Sequence, residues 1–137
     1  MRFVLFMLVV VLPAGCGRKS GQPVGGVVKL YGQPAGNLLI QLTPMDKGDS
    51  KVVGATAISD ASGRFQLKRD DGKPGMPAGK YRVIVLDNNL GSDEKPVPGE
   101  RPKSFNRVPP MFSAATSPAE ITIEDGKTEY EINIPPQ

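Results

Sequence analysis

The sequence predicts an all-β fold, a seven-stranded antiparallel β-sandwich with Greek-key connections. Three observations predict it. Beyond residue 23 apolar residues recur with period two, and no apolar run at helical spacing is long enough for a helix of ordinary length. The 14 prolines and 16 glycines exceed ordinary usage but follow no collagen-like period, so they punctuate short runs. Turn chemistry separates these runs at the intervals expected of packed antiparallel sheets.

The first expected strand is Val24–Tyr31, with Val28 and Leu30 on one face, followed by turn residues from Tyr31 to Gly36. Asn37–Thr43 presents Leu38, Ile40 and Leu42 to one side. Lys51–Ser59 is a weaker third strand. It leads into a tight turn at Asp60-Ala61-Ser62-Gly63, where the aspartate carboxylate can cap the turn. Arg64–Lys68 alternates Phe65 and Leu67 with three polar residues and so has one wet face. After a loop over Arg69–Gly79, Lys80–Leu86 is the most apolar run, with Tyr81, Val83 and Val85 inward and a central place in its sheet. Residues 87–118 carry six prolines and little periodicity, a length that marks either a functional loop or loose order. Ala119–Glu124 and Thr128–Ile134 then read as a hairpin across the Asp125-Gly126 turn, with Tyr130, Ile132 and Ile134 on the core face.

Composition removes more functions than any motif adds. The 137 residues contain no histidine, no tryptophan and one cysteine, and the formal charge is +3 with acids and bases interspersed. Without histidine there is no Ser-His-Asp triad and no His-ligated zinc or iron. Lys and Arg do not cluster along one face with aromatics, so nucleic acid is not an expected partner. No cofactor is expected, and oxygen-ligated calcium is the one metal the residues leave open. Asp46 with Asp49, Asp70 with Asp71, and Asp87 with Asp93 and Glu94 are the acidic loop pairs and clusters. None has the ordered spacing of a calcium loop, and solvated turns account for them. No carboxylate pair stands out as a glycosidase-like acid and base, so no catalytic residue and no enzyme activity is expected.

At the N-terminus Met1-Arg2 is a minimal positive region, Phe3–Leu12 an unbroken apolar run, and Pro13-Ala14-Gly15 a small-residue approach to the only cysteine, Cys16. This is the pattern of an export signal. The uncharged stretch is too short to span a hydrocarbon core, which needs roughly 20 helical residues. The segment 1–15 therefore reads as a signal peptide, 16–23 as a polar tether and 24–137 as one domain, about the size that buries a single modest core. One alternative is ordinary cleavage near Ala14 or Gly15, leaving Cys16 as a stray thiol in an oxidising compartment.

Leu12, Ala14, Gly15 and Cys16 resemble the lipobox of bacterial lipoproteins. There the cysteine thiol receives diacylglycerol and cleavage leaves that cysteine as the new N-terminus. Pro13 stands where leucine is usual, with Leu12 one place further back. The resemblance implies a lipidated Cys16, recognition through Leu12, Ala14 and Gly15, and export to the cell envelope with membrane attachment through the lipid. It implies no leaflet.

The domain itself resembles the carboxypeptidase regulatory-like domain of exported bacterial proteins. The likeness runs through Gly26-Val27-Val28, Gly32-Gln33-Pro34, Ser59-Asp60 with Gly63-Arg64-Phe65, and Pro77-Ala78-Gly79-Lys80-Tyr81-Arg82-Val83. Beyond Leu86 the likeness is to small lipoproteins containing this domain. The resemblance implies a transthyretin/immunoglobulin-like sandwich and no reaction. Independently, Tyr81 follows a glycine turn as a tyrosine corner does, its hydroxyl bonded to upstream backbone.

The long segment carries Lys95, Arg101, Lys103 and Arg107 with Phe105 and Phe112. Loops on a rigid sandwich are common binding sites, so Phe105, Arg107 and Phe112 are the candidate binding residues, with a polyanion or glycan as ligand. The alternative is that the rings pin the loop to the sandwich. These expectations describe a non-catalytic, lipid-anchored envelope protein with a structural or interaction role toward envelope protein or polysaccharide. Its alternative is a carbohydrate-binding module at the cell surface.

Overall fold

A computed structural model describes residues 23–46, 53–91 and 106–136. The elements in chain order are β1 Gly25–Leu30, β2 Gln33–Pro34, β3 Leu38–Pro44, β4 Ala55–Ile58, β5 Arg64–Gln66, β6 Lys68–Arg69, β7 Gly79–Asp87, a single 3-10 turn Asn88–Gly91, α1 Pro110–Ser113, β8 Glu120–Ile123 and β9 Glu129–Ile134. One sheet holds β2, β5 and β9 around β1, and the other runs β6-β4-β3-β7-β8. The two sheets pack face to face as an all-β sandwich.

Every side chain expected inward is buried. Val28 and Leu30 of β1, Leu38, Ile40 and Leu42 of β3, Phe65 of β5, Tyr81, Val83 and Val85 of β7, and Tyr130, Ile132 and Ile134 of β9 share one cluster. Strict alternation puts them there, because successive side chains on a strand point to opposite faces. The cluster also takes Leu67 and, from the long segment, Val108 and Phe112. The strand β7 lies between β3 and β8, with β3 at the middle of its sheet.

Three details differ from the sequence expectation. The seven expected runs appear as nine strands among the described residues, since Gln33–Pro34 folds back on β1 and the run from Arg64 breaks at Leu67 between sheets. The last two runs do not form a hairpin. β8 pairs with β7 in one sheet and β9 with β1 in the other, so the Asp125-Gly126 turn reverses the chain across the two layers. Consequently β9 runs parallel to β1 over six register pairs, while every other pair is antiparallel. A turn sequence specifies a reversal of direction; it does not specify which sheet the returning strand joins.

The Tyr81 hydroxyl donates to the Pro77 carbonyl at 2.9 Å, which is the tyrosine corner. Burial pushes that hydroxyl above its ordinary pKa, so it remains a protonated donor. Tyr81→Phe keeps the ring and leaves the Pro77 carbonyl without this donor. We expect it to lower unfolding free energy by about 1–2 kcal/mol, read from urea denaturation with an unchanged m-value.

The turn at Asp60 is capped as anticipated. One carboxylate oxygen accepts from the Ser62 amide, the Ser62 hydroxyl and the Arg64 amide at 2.9, 2.6 and 3.0 Å. The Ser62 hydroxyl bond leads the contacts that hold the Asp60 pKa below its ordinary value.

Strand directions give the sandwich two distinct ends. Strand β1 begins at one of them, beside the turn from Glu124 to Thr128, where the Gly25 amide donates to the Thr128 carbonyl. Tyr31, Asn37, Asp87 and Asn88 lie at the other, where β1 and β9 finish and β3 begins.

Candidate functional site

The far end of the sandwich is organised by one buried carboxylate. Asp87 closes β7 with its side chain fully buried, and Arg107 returns to it from the far side of the long segment. The Arg107 amide and Nε donate to Asp87 Oδ2 at 3.0 and 2.9 Å, and Nη2 donates to Oδ1 at 2.7 Å. The Asn89 amide adds a bond to Oδ1 at 3.2 Å. This fork geometry matches guanidinium to carboxylate at two points. The Arg107 side-chain hydrogen bonds are the main reason the Asp87 pKa falls below its ordinary value, against the opposing effect of burial.

Arg107 also ties the two sheets together. Its Nη2 donates to the Gly36 carbonyl at 3.1 Å, and its own carbonyl accepts the Tyr31 hydroxyl at 2.9 Å. Tyr31 and Gly32 form the two-residue connection between β1 and β2, both with positive φ, at 54° and 82°. That is the geometry of a type I′ hairpin turn, whose first position favours Asn, Asp or Gly. Gly32 suits its place, whereas a tyrosine at φ 54° bears a steric cost of roughly 1 kcal/mol. Tyr31 is nonetheless 51 % exposed.

Asn37, at φ 58°, precedes β3 and donates through Nδ2 to Asn89 Oδ1. Asn88 donates through Nδ2 to Asn37 Oδ1 at 3.0 Å, and its amide bonds the Asn37 carbonyl at 3.1 Å. The two positive-φ non-glycine residues among the described residues thus sit at the same end, joined through Arg107, Asp87 and the asparagines.

The sequence-predicted residues separate sharply. Arg107 belongs to this end, and its charge is engaged by Asp87. Phe112 is 6 % exposed and packs in the core, with α1 against β7, so its ring is committed to the sandwich and presents no face for stacking. Phe105, Cys16, Leu12, Ala14 and Gly15 lie outside the described residues.

Of the acidic loops, Asp49, Asp93 and Glu94 also lie outside, Asp71 pairs with Arg69 at 2.5 Å, and Asp87 is bound to Arg107. Among the described residues no group of three or more His, Cys, Asp or Glu is placed to hold a metal ion, and no helix is long and apolar enough to cross a membrane.

Tyr31, Asn37 and Asn88 were not singled out by sequence. The available signal was a Tyr-Gly pair where Asn-Gly is the favoured turn dipeptide. At the opposite end a cleft of about 420 Å³ is lined by Gly25, Gly26, Arg64, Gln66 and Thr128 with Glu129, which pairs with Arg64 at 3.6 Å. No family model, no curated protein and no solved structure matches the chain, which leaves its own residues as the ground for function.

Proposed function

We propose that the chain is a lipid-anchored, non-catalytic β-sandwich of the bacterial cell envelope that serves a structural or interaction role, in the manner of carboxypeptidase regulatory-like sandwiches. The observation that carries the reading is the placement of Cys16. It follows an apolar run with small residues at positions 14 and 15, and a short polar segment then leads into β1. Two acyl chains on one cysteine suffice for stable attachment, whereas a single chain holds only marginally. The absence of histidine and the engagement of Asp60, Asp71 and Asp87 in local bonds support a non-catalytic role.

Metabolic labelling with radioactive palmitate tests the anchor. Wild-type protein is expected to take up label and sediment with membranes, and Cys16→Ser to lose the label and leave the membrane fraction. An unmodified cysteine at the mature N-terminus, read by mass spectrometry, overturns the proposal. A second reading, a carbohydrate-binding module, is favoured by the exposed Tyr31 at the same end of the sandwich as three linked asparagines.

A further inference from the structure

We infer that Tyr31, Asn37, Asn88 and Arg107 form a binding site for a neutral glycan at the end of the sandwich opposite the start of β1. The inference deepens the interaction role proposed above and does not depend on the lipid. Sugar recognition needs an apolar platform for the C–H face of a pyranose and planar polar groups at its edge for hydroxyls. Tyr31 supplies the platform, because its hydroxyl is tied to the Arg107 carbonyl at 2.9 Å while half of the residue stands in solvent. A ring held in this way loses little conformational freedom on binding.

The polar groups at the same end are held as firmly. Asn37, Asn88 and Asn89 are exposed and linked to one another, and the Asn88 amide anchors its backbone to Asn37. Asn88 Oδ1 and Arg107 Nη1 have no hydrogen-bond partner among the described residues, so an acceptor and a donor remain for hydroxyls. Arg107 is 36 % exposed at its side chain, yet its charge is cancelled by the buried Asp87 carboxylate. That cancellation is why the ligand is neutral: an anionic sugar would meet a guanidinium already paired. The positive φ at Tyr31 points the same way. An aromatic ring occupies a turn position that favours Asn or Gly, and local rules are broken most often where function requires it.

Affinity electrophoresis of the full chain in detergent tests the site. Native gels would contain laminarin, dextran or galactomannan as neutral probes and heparin as the anionic one. At least one neutral glycan is expected to slow migration. Tyr31→Ala should weaken that effect by at least about tenfold, as for loss of an aromatic anchor. Tyr31→Phe should retain most of it, and Met111→Ala, altering another exposed apolar residue, all of it. Asn88→Ala leaves the Tyr31 turn intact and should weaken binding by about fivefold, the equivalent of one hydrogen bond.

Retardation by heparin alone, by no glycan, or by a neutral glycan equally in wild type and Tyr31→Ala overturns the inference. Equal loss in Tyr31→Phe and Tyr31→Ala does so too. Cys16→Ser should bind glycan as wild type does, which separates failure of this site from failure of the anchor.

Discussion

Replacing Asp87 by alanine should lower unfolding free energy by about 3 kcal/mol, the cost of removing one partner from a buried ion pair. The carboxylate accepts bonds from the Arg107 amide, Nε and Nη2 and from the Asn89 amide. All four donors lose this acceptor at once, and only Nη2 keeps another, the Gly36 carbonyl. The effect sits at the lower end of the range for buried pairs because Arg107, 36 % exposed, can turn toward water once released.

Asp87→Asn separates charge from shape. It preserves volume but aims an amide of the wrong polarity at a guanidinium, and it should cost nearly as much as alanine. The pH dependence follows from the direction of the shift. The folded-state pKa of Asp87 lies below its unfolded value, so its contribution is fully present above the ordinary aspartate value of about 3.9 and is lost as pH falls through the lower folded value. Wild-type stability should therefore decline below about pH 4. The decline should be visibly shallower in Asp87→Asn, where Asp60 still contributes a limb of the same sign. Urea midpoints measured between pH 3 and pH 7 check both statements, and an acid limb unchanged by the substitution would contradict them.

Gly26→Ala should be the most damaging single-methyl change, destabilising the fold by at least about 3 kcal/mol or abolishing folding. A Cβ built on Gly26 falls 1.7 Å from the Tyr130 carbonyl oxygen and 2.6 Å from its carbon. These are backbone atoms of β9, and β9 cannot withdraw without losing its pairing with β1. On the other side, a Cβ on Gly25 meets the Phe65 carbonyl oxygen at 2.3 Å. The start of β1 is thus threaded between two backbones, one on each side. Gly32→Ala is the matched control for added methyl bulk: nothing lies within 4 Å of its Cβ, and only the positive φ opposes it. It should cost about 1 kcal/mol. Thermal melts of the two variants give the comparison, and a Gly26→Ala protein as stable as Gly32→Ala would refute the close approach.

The parts of this fold legible in the sequence are those governed by period. Tyr81, Val83 and Val85, or Tyr130, Ile132 and Ile134, declare their face because alternation allows only one inward choice. Partner choice has no such local signature. The Asp125-Gly126 turn announces a reversal, but β8 joins β7 in one sheet and β9 joins β1 in the other.

The far-end site was hidden for the same reason. Asp87 and Arg107 are 20 residues apart with no periodic relation, and their pairing is a product of tertiary packing. Its charge is what marks Arg107 in the sequence, whereas the structure gives it first a role in holding Tyr31 and Gly36. Phe112 shows the opposite lesson, since an aromatic in a proline-rich loop can serve as core.

The parallel alignment of β1 and β9 has a mechanical consequence. The chain enters β1 at Gly25 and leaves β9 at Ile134, at opposite ends of the same strand pair. Tension applied at the start of β1 and the end of β9 would pull the two strands along their length, in shear. All six register pairs would then resist together, unlike a hairpin peeled open one bond at a time. Forced unfolding is governed by the height of the unfolding barrier rather than by equilibrium stability. On this geometry a domain of modest core resists a pull between its two ends as a stiff link.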